Sequence, residues 1–202
     1  MSAKILMPHH TTNTQSRQTQ RGASLIMVML ILVVVSVLGI GSVQIALMSE
    51  RGARNDRDQQ MAWQAAEAAI IEAEFDINDI TATRSSLFNG NMSSEFIPGC
   101  GTSGQSTGLC GETKTGKPAW LTVNFTSTGP AAQTTAFGAF SSHTFAAGGV
   151  GIQPAQTPRY IIELVQDTIG DMSEPTFLYR VTAIGFGPRA DIQAMIQMLY
   201  RK

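Results

Sequence analysis

Few side chains in this sequence could carry covalent or metal chemistry. Cys100 and Cys110 stand in FIPGCGTSGQSTGLCGE, and two thiols with no histidine nearby are too few for a structural zinc site. His143, in Ser-Ser-His-Thr, stands apart from His9 and His10 and reads as a surface imidazole rather than a ligand. Asp76-Ile-Asn-Asp-Ile has some of the carboxylate spacing of a calcium loop, but it lacks the glycine and the distal glutamate of that pattern and reads as a helix end. There is no HExxH, no Gly-rich phosphate loop between a strand and a helix, and no nucleophile with a base beside it. The residues therefore predict no enzyme active site, no metal and no cofactor. A net charge of −1 with only scattered basic residues also argues against a dedicated nucleic-acid surface.

The element that dominates the chain is instead apolar. Gly22–Ser49, GASLIMVMLILVVVSVLGIGSVQIALMS, has no charged residue and runs without proline into a charged helical pattern that begins at Glu50. As a helix it would be about 40 Å long, more than the roughly 30 Å of a hydrocarbon core. A single membrane-spanning helix is the direct expectation. A secretory signal peptide is the competitor, with Ala46 and Ser49 imitating its cleavage site, but its apolar core is normally only about 7–15 residues. Lys4, Arg17 and Arg21 on one side balance Arg51, Arg54 and Arg57 on the other, so charge alone does not orient the span.

The junction Gln-Arg-Gly-Ala-Ser-Leu-Ile at 20–26 resembles the processing site of type IV prepilins. In that family a prepilin peptidase cuts after the glycine on the cytoplasmic side and methylates the new terminus. The resemblance implies cleavage between Gly22 and Ala23. The leader, residues 1–22, is cationic and rich in Thr, Gln and Ser, so its loss removes no core. Further on, Ser49-Glu-Arg-Gly-Ala-Arg-Asn-Asp-Arg-Asp and Ala62-Trp-Gln-Ala-Ala-Glu-Ala-Ala, through to Glu74, are similar to the PilX group of minor pilins. The C-terminal aromatic strand and Tyr200-Arg201 look like that group less sharply.

The resemblance implies an α+β, type IV pilin-like fold: a long N-terminal helix, its first half membrane-spanning, packed on a C-terminal antiparallel sheet. It divides the chain into the leader, an assembly helix at 23–49, its extracytoplasmic continuation at 50–78 and a head at 79–202. The implied function is to prime pilus assembly at or near the tip. The implied partners are other minor pilins, the major pilin, the prepilin peptidase and the inner membrane. A tip pseudopilin of type II secretion and a single-pass envelope protein with an extracytoplasmic binding domain are the alternatives. One residue departs from the family. Most pilins carry a glutamate at the fifth mature position, where its carboxylate is thought to meet a neighbour's terminal amine in apolar surroundings. This chain has Met27 there, which suits a subunit docking beneath nothing. Gly39 and Gly41 mark a soft spot in the helix, each about 1 kcal/mol less favourable than alanine, or else a close helix contact. On the extracytoplasmic side Cys100 and Cys110 are expected to pair, closing a loop worth about 3 kcal/mol in chain entropy.

The remaining elements follow from periodicity. Ala62, Ala66, Ala69, Ile70, Ala73 and Ile77 recur at helical spacing, with Gln64, Glu67, Glu72 and Glu74 off that stripe. The charges at 50–58 read as a solvated face or an inter-subunit contact. Strands are expected at Ala119–Phe125, Arg159–Val165, Phe177–Phe186 and Asp191–Tyr200. The last puts Ile192, Ala194, Ile196, Met198 and Tyr200 on one face. Gly185–Ala190 reads as a hairpin loop, and 127–157 as a long loop stapled by Phe137, Phe140 and Phe145 or exposing them as an adhesive patch. The sheet should lie across the apolar stripe of the helix, because it needs a cover.

Overall fold

A computed structural model describes residues 23–90, 94–149, 151–167 and 176–202. Gly22 and the leader lie outside the described residues. Helix α1 (Ala23–Asn78) is followed by β1 (Leu109–Cys110), β2 (Thr135–Ala136), β3 (Arg159–Gln166), β4 (Phe177–Phe186) and β5 (Gln193–Tyr200). By its contacts the chain divides into two units, Met1–Glu50 and Arg51–Lys202.

In the first unit every large apolar side chain from Leu25 to Met48 is exposed. The most apolar 18-residue window has a mean hydropathy of 3.0 and is not buried by any other part of the chain. A helix that is apolar all round needs lipid or other helices for cover. The two hydroxyls within Leu25–Met48 are already satisfied: Ser36 Oγ donates to Leu32 O (2.7 Å) and Ser42 Oγ to Leu38 O (3.0 Å). No polar group of these side chains would enter a membrane unbonded.

In the second unit a sheet of order β1-β3-β4-β5 covers the helix. β3, β4 and β5 form an antiparallel meander, while β1 (parallel) and β2 (antiparallel) lie end to end along the outer edge of β3. The expected α+β pilin-like architecture is present. One face of the sheet, with Tyr160, Ile162, Leu164, Tyr179, Val181 and Ala183, meets Ala69, Ala73 and Ile77 of α1. Of the stripe predicted on β5, Ala194 is buried against Ala62 and Ala66, and Ile192 and Ile196 pack beside them. The opposite face buries Ile161, Ile184 and Phe186 under Cys100, Cys110, Ala119, Val123 and Phe125.

Three expectations are corrected. Ala119–Phe125 is no strand: it opens as a 3₁₀ turn, Ala119–Leu121. Ala119, Val123 and Phe125 do bury while Leu121 stays exposed, but the edge of β3 is already taken by β1 and β2, and the Ala119 N–H goes to Glu163 Oε1 (2.7 Å) instead of a ladder. The hairpin loop is shorter than Gly185–Ala190: the strand expected at Phe177–Phe186 is present in full, and Gly185 and Phe186 end it opposite Ala194 and Gln193. The helix dictates this, since a Cβ on Gly185 would fall 2.1 Å from Ala62 O and 2.2 Å from Ala66 N. Glu72, placed off the buried stripe, is buried with Asp76 among the alanines.

Cys100 and Cys110 are bonded to each other, and both are buried. Opening this bridge with Cys100→Ser should lower the stability of the full chain by about 3 kcal/mol, the chain-entropy value for so short a loop. Denaturant unfolding of both proteins in detergent measures the difference; equal midpoints would show that the bridge contributes nothing.

Candidate functional site

The polar residues that order the head sit at the end of α1. Asp76 and Arg84 are completely buried. Arg84 Nε donates to both Asp76 oxygens (2.9 and 2.8 Å), its Nη2 closes a second short bond to Asp76 Oδ2, and Tyr160 Oη donates to the same oxygen (2.8 Å). The rest of the guanidinium is used as well: Nη1 reaches Gln105 O (2.9 Å) and Thr107 O (2.6 Å), and Nη2 reaches Thr135 Oγ1 (3.2 Å). Its flat face covers the Phe140 ring, 3.7 Å from the centroid. One side chain thus joins the helix end, the disulfide loop, β2 and the loop after it. The planar five-donor fork of arginine is what permits that many directed bonds. Burial, reinforced by the Asp76 carboxylate, holds the Tyr160 phenol well above its ordinary value, so it stays protonated as a donor.

A second carboxylate anchors the loop after β2. Glu72 accepts from the Gly138 N–H (3.1 Å) and from the Ser141 hydroxyl, and its Oε2 lies 2.8 Å from His143 Nδ1. Gly138 adopts φ 77°, and a Cβ there would strike the carbonyl of His143. His143 is indeed at the surface, as its sequence context suggests, yet its ring is fastened to a buried acid. Phe137 and Phe145 pack together at 5.2 Å in the same loop, both partly buried. On the other side of the sheet Glu163 is buried under Arg180, its direct partner across the β3–β4 ladder, with two 3.0 Å bonds. The last residues close onto the helix: Asn78 Nδ2 donates to Tyr200 Oη (2.6 Å), and Lys202 Nζ donates to Ile77 O (2.6 Å) at the otherwise open helix terminus.

These buried charges are spent on one another and on loop backbone. Among the described residues only Gln156 Oε1 is buried without a partner, and no cluster of metal-ligating side chains occurs. The arrangement makes a rigid head out of a chain rich in loops.

The residues singled out from the sequence fall into two places. Ala23 is the first described residue of α1, and Met27, Gly39 and Gly41 follow along it. Met27 is exposed, and among the described residues nothing beyond the helix's own adjacent backbone lies within 4 Å of a Cβ built at either glycine. Cys100 and Cys110 are brought together in the head. Sequence reasoning missed Glu72, Asp76 and Arg84. The two acids are four residues apart and in phase with Ala69 and Ala73, a signal that a helical wheel carries; their partners, Arg84 past the helix end, Tyr160 on β3 and the loop at 138–143, carry none.

A family model described as PilX N-terminal matches residues 21–70, and one described as type IV pilus assembly protein PilX C-term matches residues 106–202. No curated protein and no solved structure matches. An exposed apolar helix joined to a sheet-bearing, disulfide-closed head, with a family match on each, makes this chain a member of the PilX family of type IV pilus minor pilins.

Proposed function

We propose that this protein primes type IV pilus assembly at or near the filament tip, by packing its apolar helix with those of other minor pilins while the head stays extracytoplasmic. The observation that carries the proposal is the helix itself. Its apolar side chains from Leu25 to Met48 are uncovered on all sides, and a membrane before assembly and a bundle of helices after it are the two environments that cover such a surface. Met27 supports the tip position, because a thioether cannot form the buried charge pair that a carboxylate makes with a neighbour's terminal amine. Gly39 and Gly41 would let the helix extend, or let a neighbour's backbone approach, within the bundle. A paired Cys100–Cys110 suits an oxidising compartment outside the cytoplasm. The described head residues contain no second α-helix, which favours a pilus subunit over a secretion-system tip subunit with an inserted helical domain.

Cleavage by a prepilin peptidase between Gly22 and Ala23 is part of this proposal. Intact-mass and N-terminal peptide analysis of the protein from its native membrane should find a chain that begins at N-methylated Ala23. Deletion of the gene should reduce surface pili and retraction-dependent motility together. An intact leader, or cleavage past Ser49, would return the chain to the anchored or secreted classes.

A further inference from the structure

The helix face of the head that points away from the sheet is unusual for a solvated surface. Between Trp63 and Asn78 the buried positions are alanines, Ile77 and two paired acids, while the largest apolar side chains of the segment point outward. Trp63 is 50% exposed, Ile71 53% and Phe75 43%. With Glu67 they form a row at four-residue spacing, the ridge by which one helix packs into the groove of another. Ile71 and Phe75, with Glu74, Asn78 and Asp79, line an open groove of about 400 Å³. A large exposed aromatic and aliphatic row with polar neighbours marks an interaction site rather than a solvated face.

The charges on this row are of one sign. Glu67 accepts a 2.8 Å bond from Trp63 Nε1, which holds the indole edge against the carboxylate and leaves its face outward. Among the described residues neither Glu67, Glu74 nor Asp79 makes a salt bridge to lysine or arginine. Asp79 is fixed in its ionised form, since the backbone N–H and hydroxyl of Thr81 (2.8 Å each) hold its carboxyl below the usual range. An apolar ridge flanked by carboxylates is complementary to a helix with apolar side chains flanked by arginine or lysine, and an arginine would also find the face of Trp63. The corresponding segment of a second copy is a poor fit. Residues 50–58 set Arg51, Arg54 and Arg57 against Glu50, Asp56 and Asp58 and are not net basic.

We propose that the Trp63–Glu67–Ile71–Phe75 ridge, with the groove to Asp79, docks a basic, apolar-faced helix of a different pilin-type subunit. This rests on the pilus-assembly function above and specifies the surface that function would use.

The test uses the full-length protein in its native membrane. A photoreactive benzoylphenylalanine replaces Phe75 in one strain and, as a control, Leu121, which is exposed on another part of the head. Position 75 should give a cross-linked product with a second polypeptide that mass spectrometry identifies by its prepilin-type N-terminus, and position 121 should not. Adding Glu74→Arg or Ile71→Asp should each lower that yield about tenfold or more, the loss expected when one anchor of an interface is removed. Both side chains are exposed, so the melting temperature and the bonded state of the cysteines should not change. Products with a second copy alone, with lipid alone, at both positions equally, or unaffected by either substitution would overturn the docking proposal. A deletion strain separates the two levels. If deletion removes pili while Ile71→Asp and Glu74→Arg strains keep wild-type numbers, the surface assignment fails and the assembly function stands. If deletion leaves pili unchanged, the assembly function itself fails.

Discussion

Gly185→Val will keep the sheet from seating on the helix and will lower the stability of the full-length protein by about 3 kcal/mol or more, the upper range for overpacking a core. The reason is the identity of the atoms that a side chain would meet. A Cβ at position 185 falls 2.1 Å from Ala62 O, 2.2 Å from Ala66 N and 2.8 Å from Ala65 C, all of them helix backbone. A clash with the tip of a flexible side chain relaxes by rotation, whereas one with a hydrogen-bonded helix moves the whole helix away from the sheet. That movement would uncover Ala62, Ala66 and Ala194 and pull Ala69 and Ala73 from the larger core. Even alanine at 185 carries the clash. Gly39 offers the contrast, since no atom lies within 4 Å of a Cβ built there. Thermal or denaturant unfolding in detergent, followed by near-ultraviolet circular dichroism, reads the effect. A midpoint for Gly185→Val equal to that of the parent would show that helix and sheet are not in the contact described.

Arg84→Met will cost about 3–5 kcal/mol, the range for removing one partner of a fully buried ion pair. Asp76 would be left with the Tyr160 hydroxyl as its remaining bond from those described, in a site with no solvent exposure. Gln105 O and Thr135 Oγ1 would lose the bond from Arg84 and Thr107 O would keep only the Thr135 hydroxyl, so the disulfide loop and β2 should loosen before the meander does. Arg84→Lys should not restore stability, because a point ammonium cannot make the forked bonds to Asp76 and reach two carbonyls as well. The double variant Asp76→Leu/Arg84→Met should be less destabilised than Arg84→Met alone, since no unpaired charge then remains buried. Denaturant unfolding of the single and double variants gives the coupling. Effects that simply add would mean that the pair contributes no mutual stabilisation.

Both predictions turn on residues that sequence reading left in the background. Gly185 stands in Gly-Phe-Gly-Pro-Arg-Ala, where turn chemistry is the obvious inference. The strand expected at Phe177–Phe186 includes it, but the lack of room for a side chain there comes from a helix more than a hundred residues earlier, and no local signal reports that distance. Arg84 lies just past a helix end in Thr-Arg-Ser-Ser, the usual setting for a solvated cation. It is buried because Asp76, Gln105, Thr107, Thr135 and Phe140 converge on it from segments that only the folded topology brings together.

What the residues determine unaided is everything set by local periodicity and bulk hydropathy. An uninterrupted apolar run from Ala23 to Ser49 has to be covered by lipid or other helices, whatever follows it. The β-branched and aromatic content of Arg159–Val165 and Phe177–Phe186, with the alternation of Asp191–Tyr200, yields the meander to within two residues, and the even-numbered stripe of β5 meets the helix as its pattern requires. Tertiary structure alone decided the rest. Ala119–Phe125 alternates like a strand but finds no free edge; it opens as a turn and buries Ala119, Val123 and Phe125. Glu72 enters the core because donors arrive from a loop distant in the chain, and Asp76 because Arg84 folds back past the helix end and Tyr160 reaches it from β3. The outward row of Trp63, Ile71 and Phe75 became visible only once the sheet had taken the alanine face, since burial of one side of a helix is what defines the other side as surface.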